Sequence, residues 1–432
     1  MVQRYSRVAA VAFVVVASFL VRERTHAQSR VSNDFVFTHV RVFDGARTLQ
    51  NTQVAVTGGL IREIGGDLAS WGQLPVIDGT GLTLVPGLID AHTHVRDAEE
   101  LRQALRFGVT TMLDMGATEV LPPQRLFALR AAARITTDMS DLRAAGYMAV
   151  PPAAGFPTPA VSTVEEAKQF VAMRRAEGSD YLKIGLTGVR SATRGVANLD
   201  EPMVRALVEA AHANGILAVA HVETLDDVTV ALSAGVDGLM HVWRRGGANA
   251  QIARRVAERG VFVSATLVIP DGYLDGRAGL LADPRFLSVL SNPIKEHLSR
   301  SFSARTTGAD VVELRASLDA HLAAVRSLHE AGARLLIGTD ASRNSPSVHG
   351  ISLHREMELF SNAGLSPSET LTAATASSAE AFRLADRGRI LPGRRADLLL
   401  VRGDPTSDLL SIRDIVRIWK SGVEVDRTVT DR

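Results

Sequence analysis

Between Leu84 and Asp340 the chain repeats one pattern, a short apolar run that reads as a buried strand followed by a longer stretch with helical spacing. Eight such runs stand out: Leu84–His94, Val109–Gly116, Gly146–Val150, Tyr181–Thr187, Leu217–Glu223, Gly238–Val242, Val261–Leu267 and Arg334–Asp340. The segments between them, such as Glu165–Glu177, Glu201–Asn214 and Ala250–Arg259, carry helical periodicity. Strands that alternate with helices run parallel, because each helix returns the chain to the edge it started from, and the crossover is right-handed. Eight of them predict a closed (β/α)8 TIM-type barrel, with an open doubly wound sheet as the alternative.

Both ends of the chain break this pattern. From Phe35 to Val85 short alternating strands are punctuated by Asp44-Gly45 and Gly58-Gly59, and strand-like runs return at Ala396–Val401 and Ile415–Val425. Neither end is long enough to bury a core alone, so the two are expected to pair into one small β-sandwich. The expected divisions are a β part at 33–85, a barrel at 86–387 and a second β part at 388–430. Residues 1–27 read as a secretory signal peptide: Arg4 and Arg7 precede an apolar run, Val8 to Val21, and small Ala27 marks the cut. The run is shorter than the ~20 residues a spanning helix needs, so a periplasmic or secreted protein without a lasting membrane anchor is expected.

Composition narrows the chemistry. The chain contains no cysteine, which removes disulfides, thiolate ligands and a cysteine nucleophile. Its formal net charge is +1 and no basic stripe is present, so nucleic acid is not an expected partner.

The polar residues at the strand ends carry the argument from there, because barrel active sites are built at the C-terminal ends of the strands. His92 and His94 are two apart on a strand, so both imidazoles face one side and can share an ion. Lys183 interrupts the apolar run Tyr181-Leu182-Lys183-Ile184, where a lysine is costly to bury unless it is paired or chemically altered. His221, His241 and Asp340 end the fifth, sixth and eighth runs.

The stretch Val85-Pro86-Gly87-Leu88-Ile89-Asp90-Ala91-His92-Thr93-His94 resembles a motif of the amidohydrolase superfamily. Gly338-Thr339-Asp340-Ala341 is similar to that family's strand-eight motif, and Ala373-Ala374-Thr375, Gly388-Arg389-Ile390, Pro392-Gly393 and Ala396-Asp397-Leu398 resemble its return into the β domain. The resemblance, which runs from about Phe35 to Val425, points to the prolidase-like and imidazolonepropionase-like branches. It implies a first metal on His92, His94 and Asp340 and a second on His221 and His241. Lys183, carboxylated to a carbamate, would bridge the two. Two divalent ions are expected, zinc first, although the donor set also suits manganese, cobalt or iron. Asp340 would act as general base and then general acid on a hydroxide shared by the ions, with His241 helping to stabilise the oxyanion.

The expected reaction is hydrolysis of an amide-type C–N bond in a small molecule such as a dipeptide or N-acyl amino acid. A mononuclear cyclic-amide, lactone or ester hydrolase is the first alternative, distinguished by having no need of Lys183. A non-catalytic ligand-binding barrel is the second. Tyr147, Arg190 and His349 are candidate substrate contacts, while His354 sits in a helical pattern and reads as structural. Two departures from the family pattern stand out: Pro151–Pro157 replaces a Gly-Gly-His stretch, and Glu223 stands where relatives often have histidine. The long segment from Pro270 to Asp310 shows helix fragments and no strand, as a lid or substrate loop would. Association into homo-oligomers is expected by analogy with related barrels.

Overall fold

The computed structural model describes residues 33–66, 71, 73–116, 121–151, 160–186, 199–243, 246–276, 278–300, 308–343 and 345–429. The expected signal peptide at 1–27 and Arg190 lie outside them. Five strands come first, β1 (Phe35–Phe43), β2 (Thr48–Thr57), β3 (Leu60–Ile64), β4 (Val76–Asp78) and β5 (Leu82–Pro86). Eight follow, each separated from the next by at least one helix: β6 (Leu88–Thr93), β7 (Val109–Asp114), β8 (Asp141–Ala144), β9 (Tyr181–Gly185), β10 (Leu217–His221), β11 (Gly238–Met240), β12 (Phe262–Ser264) and β13 (Leu335–Leu336). The last three are β14 (Leu398–Arg402), β15 (Ile415–Lys420) and β16 (Val423–Glu424).

Within β6–β8 and within β9–β13, neighbouring strands pair in parallel and in chain order, as the strand–helix alternation requires. They form two hydrogen-bonded sheets, β6–β7–β8 and β9–β10–β11–β12–β13. The sheets meet at single bridges, Thr93 to Ala341 and Ala149 to Ile184. Backbone bonds from Ala91 N to Ile337 O (2.9 Å) and from Gly185 N to Ala149 O (2.8 Å) reinforce them. Inside lie Ile89, Leu113, Tyr181, Val219, Phe262 and Leu336. Phe382 seals the N-terminal ends of the strands, its ring 5.1 Å from those of both Tyr181 and Phe262. With the interior closed at that end, it can open only at the other.

One expected strand is misplaced. The third is Asp141–Ala144, not Gly146–Val150. Gly146 turns the chain at φ +72°, and only Ala149 and Val150 beyond it make isolated bridges. Asp141 and Arg143 hid the true strand, because a strand with two charges in four residues does not read as apolar. Its Asp141 is buried, and Oδ2 accepts from Arg387 Nη1 (2.5 Å) and Arg395 Nη1 (2.7 Å). The C-terminal return thereby locks onto the parallel strands.

The two chain ends do pair. They form one continuous eight-stranded sheet, ordered β16-β15-β14-β5-β1-β2-β3 with β4 beside β1. Strands β15 and β1 are three positions apart, about 14 Å in a flat sheet. Yet the rings of Trp419 and Phe37 stand 5.1 Å apart, so the sheet curls over its own core of Phe37, Val54, Leu84, Leu398 and Trp419. Lys420 on β15 reaches out of it, and its buried Nζ donates to Ala133 O, Thr136 O and Met139 O at the end of helix Pro123–Ile135. Residues Asn33 to Arg432 are one compact unit.

After β12 come short helices at Val268–Tyr273, Ala278–Ala282 and Asn292–Ser299. Phe107, Phe286, Leu290, Ile294 and Ile351 give them a core of their own. No helix among the described residues is long and apolar enough to cross a membrane.

Burial opposes charge on Asp141, but the guanidiniums of Arg387 and Arg395 prevail and hold its carboxyl far below the usual carboxylate range. Arg387 and Arg395 keep Asp386 and Asp397 as partners when Asp141 is neutralised. Asp141→Asn is therefore expected to cost about 3 kcal/mol, the low end for a broken buried pair, in urea unfolding at neutral pH. A depressed carboxyl contributes stability that is lost only as pH falls through its folded value, so the deficit should persist down to the ordinary carboxylate range. A neutral effect would show that the network does not bear on stability.

Candidate metal centre

All six residues of β6 are buried, and alternation along the strand puts His92 and His94 on one face, their rings 5.7 Å apart. Asp340, just after β13, places Oδ1 3.4 Å from His92 Nε2 and 3.1 Å from His94 Nε2. One donor atom from each of the three lies within 4.8 Å of the others. His241 follows β11, with its ring 4.6 Å from that of His92 and 4.5 Å from that of His221, the last residue of β10. Lys183, in the middle of β9, is buried and electrostatically coupled to His92, His221 and Asp340. The six side chains singled out in the sequence thus converge. Gly338 makes this possible, since a Cβ there would stand 2.3 Å from Ser264 Oγ and 2.8 Å from His92 N.

Burial sets the charge state of the cluster. It pushes Lys183 down to about 7 and His92 well below its ordinary value, the second effect deepened by the lysine. Burial also lowers His221, against the opposing pull of Glu223. At His94 burial acts the same way, but the hydrogen bond and charge of Asp340 raise the net value. Lys183 Nζ and His92 Nδ1 are buried without a hydrogen-bond partner among the described residues. An unsatisfied buried amine beside imidazoles and a carboxylate is expensive unless something binds it. Imidazole, carboxylate and a modifiable amine are a donor set that divalent cations accept, so the residues fit a metal centre.

Three of the imidazoles are braced through a ring nitrogen, which fixes the ring and leaves the other nitrogen for the site. His94 Nδ1 lies 3.4 Å from Gly116 O, His241 Nδ1 2.7 Å from Thr266 Oγ1, and His221 Nε2 3.3 Å from Glu223 Oε1. His241, Thr266 and Asp340 all take left-handed backbone conformations, with φ of +84°, +57° and +51°. Such strain in non-glycine residues gathers where surrounding structure imposes it, functional sites above all.

The other candidates fall elsewhere. His349 is buried behind the strand, with Nδ1 3.0 Å from Thr93 Oγ1 and Nε2 3.4 Å from Glu100 Oε2, so it braces β6. Tyr147 is half-buried, with the Arg174 guanidinium over its ring. His354 is buried at 2.9 Å from Phe107 O, and burial lowers it to about 3.

Sequence reasoning missed the supporting carboxyls. Asp90 accepts from Thr339 Oγ1 (2.7 Å) and Thr339 N (3.0 Å), tying β6 to the strand-eight motif, and burial raises it to about 6. Asp114 accepts from Val95 N (2.7 Å) and Gly116 N (3.0 Å) and is likewise raised to about 6 by burial. Glu356 accepts from Leu267 N (2.9 Å) and Val268 N (2.7 Å), next to Thr266. Each had a legible signal: Asp90 and Asp114 sit in apolar strands, and Glu356 shares the helix face of Leu353, Met357 and Phe360.

Comparison with known proteins adds a family. A family model described as "Amidohydrolase family" matches residues 83–431. An imidazolonepropionase from Deinococcus deserti is 35% identical over 103 residues, 23% of this chain and 26% of that protein. A dihydroorotase from Trichlorobacter lovleyi is 31% identical over 189 residues, 43% of this chain and 42% of that protein. The chain thus spans less than half the length of either curated relative. A crystal structure described as a candidate prolidase from Bifidobacterium longum superposes with a TM-score of 0.71 at 25% identity, covering 92% of this chain and 96% of that one.

Burial pushes Glu356 up to about 8, against the two amides that favour its ionised form. A carboxyl raised in the folded state keeps its proton longer there than when unfolded. The stability it contributes is complete below the ordinary carboxylate range and is lost as pH rises through about 8. Glu356→Gln cannot ionise, so in chelator-treated protein it should gain on wild type as pH rises from about 5 to about 8. Urea midpoints across that range test this, and parallel midpoints would contradict it.

Proposed function

The chain belongs to the amidohydrolase family, and on that premise we propose that it hydrolyses an amide-type C–N bond at a two-metal centre, with dipeptides or N-acyl amino acids as the first substrate class. The observation that carries this is Lys183, a buried amine with no hydrogen-bond partner among the described residues, set amid four histidines and Asp340. A one-ion site has no use for it, whereas a carbamate on Nζ would turn a costly cation into an anionic oxygen ligand bridging two ions. In this reading His92, His94 and Asp340 would hold one ion and His221 and His241 the other, with zinc the first choice. Divalent ions held there supply Lewis acidity, which activates water near neutral pH and polarises a carbonyl.

The residues divide the remaining work. His92, Lys183 and His221 are sunk below the surface, while Asp340 and His94 keep side-chain exposures of 26% and 29%. Asp340 therefore meets both water and substrate. Its carboxylate takes the proton of the attacking water and returns it to the leaving amine. Thr266 at Nδ1 keeps the His241 ring aimed at the site, where His241 can also stabilise the developing oxyanion. We further read the two parallel sheets as one barrel joined at the Thr93–Ala341 and Ala149–Ile184 bridges, and the enzyme as exported.

The dipeptide reading draws on the prolidase-like structural neighbour, which matches nearly the whole chain. A cyclic amide is the second reading, supported by the segment shared with a dihydroorotase. Elemental analysis after purification with bicarbonate should find about two ions per chain, and about one in Lys183→Met. Asp340→Asn should lose about a hundredfold or more in kcat on whichever substrate is turned over. Full turnover by Asp340→Asn with normal metal content would overturn its role as base. Absence of bound metal, even after addition of zinc or manganese, would overturn the hydrolase reading.

A further inference from the structure

The strand ends opposite the histidines border an open cavity of about 480 Å3. Leu217, Phe262 and Ala381, all part of the barrel's interior core, contribute apolar wall. Arg259, Arg334 and Arg383 line it as well, and all three are exposed. Among the described residues none of the three has a carboxylate within 4.0 Å. Arg259 donates to Leu232 O and Arg383 to Gly215 O (3.3 Å), which leaves most of their donors unused. Two acids share the lining, Asp237 and Glu380. Asp237 is already engaged, since its Oδ2 accepts from Ala218 N (2.7 Å) and lies 2.9 Å from His212 Nε2.

The backbone supplies a second, independent observation. Helix Ala376–Ala381 ends with Arg383 N bonded to Glu380 O (3.1 Å) and Leu384 N to Ala379 O (2.8 Å). That is the Schellman arrangement, in which the residue at the position of Arg383 takes a left-handed conformation and is usually glycine. Glycine does end helices Val164–Glu177 and Leu225–Ala234 in the left-handed region, at Gly178 and Gly235. Arg383 accepts φ +56° with a full side chain. A helix stop alone would be better served by glycine, so the guanidinium is kept for another reason.

We infer that this cavity is a binding site for a small multivalent oxyanion, of the phosphate or dicarboxylate type, held by Arg259, Arg334 and Arg383 on the face remote from the metal centre. Guanidinium forks match both kinds of anion, and the apolar wall accommodates a short carbon chain. The site is independent of the hydrolase reading, and its test does not read turnover.

The full chain is titrated by calorimetry with succinate and, separately, with inorganic phosphate, each at constant ionic strength. Saturable binding of at least one is expected, and the stronger of the two identifies the anion type. Arg383→Gly should weaken it about tenfold or more, and Arg334→Gln likewise. The same Arg383→Gly protein, without anion, should melt at the wild-type temperature or above it, because glycine relieves the strain. A purely structural arginine would give the opposite, a lower Tm. The inference is overturned if neither anion binds, if Arg383→Gly melts lower, or if it binds as wild type does. Equal binding would put the anion at another site, the histidine cluster included.

Discussion

The constraint on which the rest depends is the burial of an amine at the bottom of a ring of imidazoles. Taken from water, Lys183 loses hydration that no hydrogen-bond partner among the described residues replaces, and its ordinary charge would also repel any cation nearby. Burial meets the difficulty by lowering the amine to about 7, which leaves a large neutral fraction near physiological pH. A neutral amine is also the form that can react with CO2. The same low-dielectric surroundings keep His92 and His221 neutral, as metal ligation requires. One physical cause, desolvation, thus prepares three groups at once.

A cluster built this way has to be held from outside. Asp90 joins β6 to Thr339, His349 and Glu100 stand behind Thr93, and Thr266 fixes His241. Glu356 in turn binds the two amides that follow Thr266. These bonds run from strand ends and from the helices and loop packed against them, so the site's geometry is a property of the parallel sheets together with their flanking elements. Around the opposite end, Phe382 fills the interior, and the Asp141–Arg387–Arg395 network fastens the C-terminal return.

Much of this was legible in the sequence, for physical reasons. Seven of the eight parallel strands stood out because a strand buried on both faces is nearly all apolar, and its polar exceptions, His92, Lys183 and His221, are conspicuous against that background. The third strand was not legible, because Asp141 is satisfied by arginines 246 and 254 residues away, and no local pattern reveals such partners. His349 looked available to substrate for a similar reason: its partners, Thr93 and Glu100, lie at the far end of the chain. The bracing role of Glu356 likewise needs the loop after β12 in place. Sequence alone displays what a strand or helix must bury. It does not display what buried polar groups find across the fold.

Backbone strain extends that lesson to positions where no contact is at issue. Of the non-glycine residues with positive φ, several are of the types that tolerate it, such as Asn51 and Asp275. Ser421 precedes Gly422 in the tight turn between β15 and β16. Thr266 and Arg383 have neither excuse: one is β-branched, the other long, and each occupies a conformation that glycine would adopt more cheaply. Thr266 shows what the strain is for, since its hydroxyl reaches His241 Nδ1 at 2.7 Å. Arg383 stands at the opposite end of the strands, beside a cavity, with a side chain that no carboxylate among the described residues neutralises. The reasoning that assigns Thr266 to the metal centre therefore assigns Arg383 to a ligand of that cavity.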